Sequence, residues 1–142
     1  MTIARIMRGR QDAVISVGVD TAVRDVVALL ADRRIGAVPV LDGDRVVGVL
    51  SERDLVYCLA AEGAAVIERT AGSVMTAPAI SVTGDMPVLA ALSLMTRRRI
   101  RHLPVLDDDR MVGFVSIGDL VKHRIDGIES EAAALRDYIS AG

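Results

Sequence analysis

A mixed α/β (α+β) fold of two like units followed by a C-terminal helix is what this sequence of 142 residues predicts. The first observation behind that prediction is an internal duplication. An offset of 65 residues lays Pro39 on Pro104, and Ile35-Gly36-Ala37-Val38-Pro39-Val40-Leu41-Asp42 then falls without a gap on Ile100-Arg101-His102-Leu103-Pro104-Val105-Leu106-Asp107. Gly48-Val49-Leu50-Ser51-Glu52-Arg53-Asp54-Leu55 falls in the same way on Gly113-Phe114-Val115-Ser116-Ile117-Gly118-Asp119-Leu120. Upstream, Ser16, Val17, Asp20, Val23, Leu29, Arg33 and Arg34 meet identical residues at 81, 82, 85, 88, 94, 98 and 99. Such a repeat specifies like units packed together. The second observation is that apolar residues in each unit change period in the order strand, helix, strand, strand, helix. The third is size: a unit of about 60 residues is marginal alone, so the two halves are expected to share one core.

The elements follow in order. Val14 to Val17 reads as a short strand, and Asp20-Thr21 as a helix start with capping side chains. Val23, Val26, Val27 and Leu30 then recur at helical spacing as far as Arg33-Arg34. Strands are expected at Ala37 to Leu41 and Val46 to Leu50 around the hairpin signal Asp42-Gly43-Asp44, with a second helix opening just after Ser51. Residues 61 to 73, containing Gly63 and Gly72, connect the halves. The second unit repeats the plan: strand Ala79 to Val82, helix Met86 to Thr96, strand His102 to Leu106, turn Asp107-Asp108-Asp109, strand Met111 to Val115, helix from Ile117. Residues 1–65 are thus assigned to an N-terminal segment and the first unit, 66–125 to the second unit, and 126–142 to a C-terminal helix.

Composition narrows the function classes. Hydrophobic residues make up 51% and aromatics 2%, with no tryptophan, so a bound ring must be gripped by aliphatic side chains. A net charge of −2 argues against wholesale neutralisation of nucleic-acid phosphates. Cys58 is the sole cysteine, which reads as an ordinary apolar residue of an intracellular protein. No signal-like N-terminus and no run near the roughly 20 apolar residues of a membrane span are found. The expectation is a soluble, cytoplasmic protein.

Catalysis and metal binding find little support. His102 and His123 have no cysteine or second histidine at ligand spacing. Ser51 and Ser116 lack a paired histidine and an elbow motif. Gly43, Gly48 and Gly113 form neither a phosphate loop nor a dinucleotide fingerprint. The chain is read as not an enzyme.

Both halves carry a strand ending in a hydrophobic-Pro pair, an acidic turn, and Gly-hydrophobic-x-Ser-x-x-Asp closing onto a helix. This pattern, over roughly residues 4 to 125, resembles the cystathionine-β-synthase-type (CBS) domain present as a tandem pair, or Bateman module. The resemblance implies two half-domains packed about a pseudo-twofold axis, with adenine nucleotides in the cleft between their sheets. Ser51-x-x-Asp54 and Ser116-x-x-Asp119 mark strand-to-helix junctions. The serine can cap the helix, and the helix N-terminus favours a phosphate or carboxylate nearby. The aspartate can accept from two vicinal ribose hydroxyls, the role the family's corresponding residue commonly has. Helix capping with no ligand explains the same motif.

By resemblance, one nucleotide site would combine Ile15, Ile35, Gly36 and Ala37 with His102, Phe114, Ser116 and Asp119. The other would combine Ile80, Ile100, Arg101 and His102 with Ala37, Val49, Ser51 and Asp54. Backbone groups before each proline would read the adenine edge, with Ile15 or Ile80 and Val49 or Phe114 against the ring faces. Because Arg101 and His102 replace Gly36 and Ala37, positive charge gathers on the second unit's strand, and the phosphates are expected there. Arg97, Arg98 and Arg99 are read chiefly as charges facing water at a helix C-terminus.

After Asp119, Val121, Ile125, Ile128, Ala132, Leu135 and Ile139 fall in steps of 4, 3, 4, 3 and 4, a short heptad seam interrupted by Gly127. It can dock on the chain's own sheets, a second subunit or a target. Standalone CBS pairs usually form twofold dimers, so a homodimer is expected. The function read from the sequence is a regulatory sensor of an adenine nucleotide: AMP, ADP, ATP or NAD, with Mg²⁺ accompanying a triphosphate. With no catalytic, transporter or DNA-binding domain in this sequence, its signal is expected to pass to a separate, unknown target protein or through the dimer. The alternatives are a ligand-free structural or interaction module and, behind it, nucleic-acid binding through Arg97, Arg98, Arg99 and Arg101.

Overall fold

The computed structural model describes residues 1–8, 10 and 13–141; Gly142, the last residue of the expected C-terminal helix, lies outside them. The first unit contains β1 (Val17–Gly18), α2 (Val23–Arg33), β2 (Ala37–Asp42), β3 (Arg45–Ser51) and α3 (Glu52–Glu62), preceded by the short helix α1 (Ile3–Met7). A 3-10 helix (Gly63–Glu68) and α4 (Ala71–Val74) connect it to β4 (Val82–Thr83), α5 (Val88–Arg98), β5 (His102–Asp107), β6 (Arg110–Ser116) and the long α6 (Ile117–Ala141). The mixed α/β order is the expected one, twice over.

Each unit forms a three-stranded sheet, β1-β2-β3 or β4-β5-β6, whose first pair is parallel and second antiparallel. The register is duplicated: Pro39 lies opposite Val49 and Pro104 opposite Phe114, and the ladder shifts between Val40 and Leu41 as between Val105 and Leu106.

Three expectations need correction. The strands expected over Val14–Val17 and Ala79–Val82 are displaced towards their C-terminal ends, and Val17 and Val82 first pair with Val40 and Val105. One step earlier the partners would be Pro39 and Pro104, which have no N–H to give, so the ladders stop there. Residues 14–16 and 79–81 are freed from the sheets as a result.

Asp20 and Thr21 do not cap α2. Its N-cap is Ala22, with no side-chain bond, and the Thr21 hydroxyl instead accepts from the Gly18 amide at 3.0 Å. The orphan amide of Val23 donates to the Arg69 carbonyl (2.8 Å) and that of Val88 to the Met1 carbonyl (3.1 Å). Backbone from a neighbouring segment therefore replaces capping side chains.

Nor do the halves share one core. Val26, Leu30, Val38, Val40 and Leu50 anchor one cluster, and Ala91, Met95, Leu103, Val105 and Val115 another. Each closes because a segment from outside its own strand-helix repeat covers it. Ile3 of α1 is fully buried in the second cluster, whereas Val66, Ala71 and Val74, from the connection, are buried in the first. With that cover each small unit gains enough apolar burial to hold its own sheet.

Candidate functional site

Two cavities open between the halves, related by the repeat. Each contains one of the Ser-x-x-Asp junctions, and at both the aspartate is locked locally. The Asp54 carboxylate accepts from the Ser51 amide (2.8 Å) and hydroxyl (2.9 Å), while the Asp54 amide donates to the Ser51 oxygen (3.3 Å). Asp119 accepts from the Ser116 amide at 2.7 Å, and its own amide donates to the Ser116 hydroxyl oxygen at 3.1 Å. These are reciprocal capping boxes, and they leave one oxygen of each carboxylate turned to a cavity.

The cavity at Asp54 measures about 290 Å³. It gathers Val49, Ser51 and Asp54 from the first half with Ile80, Ile100, Arg101 and His102 from the second. Ala37, expected here, is buried on the other side of β2, and Gly36 takes its place. The cavity at Asp119, about 610 Å³, brings together Ile15, Ile35, Gly36, Ala37, His102, Phe114, Ser116 and Asp119, the full set expected of it. Gly36 and His102 border both.

A family model described as the CBS domain matches residues 3–61 and, a second time, residues 71–126. The chain belongs to the CBS-domain family. It is 34% identical over 128 residues to the mitochondrial CBS domain-containing protein CBSX3 of Arabidopsis thaliana, covering 87% of this chain and 62% of that relative. Among solved structures, a protein with CBS domains from Burkholderia ambifaria matches with a TM-score of 0.83 and 34% identity, over 89% of this chain and 95% of the other. A CBS domain protein from Pyrobaculum aerophilum, complexed with AMP, matches with a TM-score of 0.73 and 27% identity, over 84% and 89%.

Arginines outnumber carboxylates by one at both linings of this CBS pair, Arg10 and Arg34 facing Asp119 in one cavity. The Asp54 cavity carries Arg53, Arg99 and Arg101 with a single further acid, Glu52, at its lining. Arg53 also ties the halves together, Nη1 donating to the Arg99 carbonyl at 3.1 Å. His102 does not add the positive charge expected of it. Burial pushes its pKa below the ordinary value, against the pull of Asp119 and Glu52 and with the help of Arg101, so the imidazole is neutral at pH 7. In the other cavity, burial pushes the Asp119 carboxyl up, but hydrogen bonds from Arg10 and Ser116 outweigh it and hold the pKa below the usual carboxylate range.

Several lining residues escape a reading of the sequence. Thr76, Pro78 and Arg53 border the Asp54 cavity, and Met7, Arg10 and Arg34 the Asp119 cavity. Arg34 and Arg99 occupy matching repeat positions and matching left-handed conformations (φ 54° each) at the ends of α2 and α5. That repetition is the signal that could have placed them. Arg10 lies upstream of the aligned repeat and offers no such signal. Among the described residues, no three His, Cys, Asp or Glu side chains gather to hold a metal ion.

Proposed function

We propose that this CBS pair is a regulatory sensor that binds an adenine nucleotide (AMP, ADP, ATP or NAD) between its half-domains. One observation carries the reading: in both cavities a carboxylate at a helix N-terminus stands beside an aliphatic wall contributed by both halves. The carboxylate suits a ribose diol, the wall suits a purine, and the helix N-terminus suits a phosphate. The AMP-bound state of the Pyrobaculum aerophilum protein supports adenylate as the ligand class. Arg53, Arg99 and Arg101 at the Asp54 cavity and Arg10 and Arg34 at the other suit a phosphorylated ligand at either; a triphosphate would bring its own Mg²⁺. A ligand touching both halves shifts their arrangement only by its differential affinity for the alternatives, so the role is sensing rather than turnover.

The same reading gives a cytoplasmic homodimer that signals to a separate target. No described helix is long and apolar enough to cross a membrane. In support of assembly, Val121, Ile125, Ile128, Leu135 and Ile139 along α6 are 42–66% exposed within one chain. The residues 126–142 are then an assembly arm rather than part of either unit.

A structural module without ligand is the second reading, favoured by the capping boxes that already employ Asp54 and Asp119. Isothermal titration with AMP, ATP, NAD and S-adenosylmethionine separates the two. Micromolar binding of one adenylate, abolished by Asp54→Ala or Asp119→Ala, is expected; absence of both heat and thermal shift with all four would leave the structural module.

A further inference from the structure

The two cavities differ in what holds the cavity-facing oxygen of the aspartate. At Asp54, Oδ1 accepts from the Thr76 hydroxyl at 2.8 Å. At Asp119, Oδ1 is ion-paired with the Arg10 guanidinium, Nη2 at 2.7 Å. The adjoining strand edge differs in the same way. Val49 exchanges both backbone hydrogen bonds with Thr76 (3.0 and 2.9 Å), whereas the Phe114 carbonyl, at the matching repeat position, accepts from Arg10 Nη1 at 3.1 Å. The sequence accounts for the difference. Met75 lies against Gly48 and Met7 against Gly113, one on each third strand. Four residues lie between Met75 and Ile80 but seven between Met7 and Ile15, and Arg10 stands within the longer stretch.

At both aspartates Oδ2 is held by the serine amide, and at Asp54 by the Ser51 hydroxyl as well, so a diol competes for Oδ1. At Asp54 it displaces a neutral hydroxyl and strands no charge; at Asp119 it must displace a guanidinium. That guanidinium cannot become neutral. Arg34 lines the same cavity, which leaves two cations against one carboxylate already occupied by hydroxyls. The Arg10 side chain is 38% exposed and that of Asp119 33%, so water screens part of the lost pairing, and an anion placed beside the guanidinium recovers it. A 5′-phosphate on the same ribose supplies that anion at close range and suits the planar fork of arginine.

Resting on the nucleotide reading above, we infer that Arg10 makes the Asp119 cavity selective for phosphorylated nucleosides over uncharged or cationic ones. Adenosine has nothing to offer the displaced guanidinium, and the sulfonium of S-adenosylmethionine repels it. The filter belongs to one cavity only, because Thr76 at the other imposes no such demand.

The test is calorimetric titration of the Asp54→Asn protein, which keeps an acceptor for the α3 cap and leaves the Asp119 cavity to be measured. AMP, adenosine and S-adenosylmethionine are titrated into it and into its Arg10→Gln and Arg10→Lys derivatives, each first shown to melt cooperatively. With Arg10 present, AMP is expected to bind at least about tenfold tighter than adenosine, the loss of roughly one charge-assisted contact. Arg10→Gln should weaken AMP, strengthen adenosine and bring the two together, and Arg10→Lys should restore the preference for AMP. Equal affinities in the presence of Arg10, or a preference that survives Arg10→Gln, overturns the filter while leaving nucleotide binding intact. No binding of any of the three by the unmutated protein overturns the filter and the nucleotide reading together.

Discussion

The imidazole of His102 lies over the ring of Phe114, with centroids 5.5 Å apart and planes 13° from parallel. In a chain with 2% aromatic residues, this stack stands where the two cavities meet, since His102, like Gly36, borders both and Phe114 borders the one at Asp119.

The stack should respond to pH. Burial lowers the His102 pKa, outweighing Asp119 and Glu52, which raise it, with Arg101 lowering it further. The unfolded chain therefore binds a proton, at about pH 6.5, before the folded one does. Stability is full above that value and declines as pH falls towards the folded pKa. Thermal melts between about pH 7.5 and 5.5 should show a falling midpoint. His102→Phe, which keeps a ring and removes the titration, should flatten the slope; an unchanged slope would assign it to another group.

The capping boxes should carry measurable stability whether or not a ligand binds. Ser51→Ala and Ser116→Ala each remove an acceptor for a first-turn amide, a change expected to cost about 1 kcal/mol in urea unfolding. Asp119→Asn adds an acid effect. The Asp119 pKa is held below the ordinary range by Arg10 and Ser116 despite burial, so its contribution is complete above about pH 4 and lost as pH falls through the folded value. The acid limb of the Asp119→Asn stability profile should be shallower than that of the parent.

Gly48 and Gly113 are equivalent in the repeat and unequal in their neighbours. A Cβ at Gly48 would sit 2.7 Å from the Thr76 carbonyl oxygen, which is backbone, and 2.6 Å from the Met75 sulfur. At Gly113 the obstruction is the end of the flexible Met7 side chain. Gly48→Ala should cost about 1–3 kcal/mol as overpacking and, by shifting Thr76, weaken ligands at the Asp54 cavity. Gly113→Ala should cost less. Chemical unfolding of the pair checks the order.

The α6 stripe yields a prediction about assembly. Ile128 and Leu135 are 48% and 59% exposed, so replacing both with glutamate should leave each unit's cooperative melt intact in a monomer. If α6 joins two copies, light scattering should show the parent at twice the mass of the double variant. Equal masses would leave the stripe to a different partner.

The amino-acid sequence by itself determined the duplication, the strand and helix order of both units, the hairpins, the two Ser-x-x-Asp junctions and most of the residues that meet in each cavity. The duplication, the element order, the hairpins and the junctions rest on periodicity and on a pattern repeated at a fixed offset, which survive translation into sequence; the residues of each cavity came from the resemblance to the CBS domain. Tertiary structure decided the rest. Pro39 and Pro104 shortened the first strands through a partner they could not bond. Arg69 and Met1 replaced side-chain caps with distant carbonyls, and α1 and α4 gave each sheet its own core. Burial lowers the His102 pKa and with it the charge expected there. Arg10 reached Asp119 from outside the repeat, 109 positions away along the chain by their numbers, and gave one cavity an ion pair where its twin has a hydroxyl. Desolvation and long-range pairing depend on where the folded chain brings segments together, and no local pattern records them.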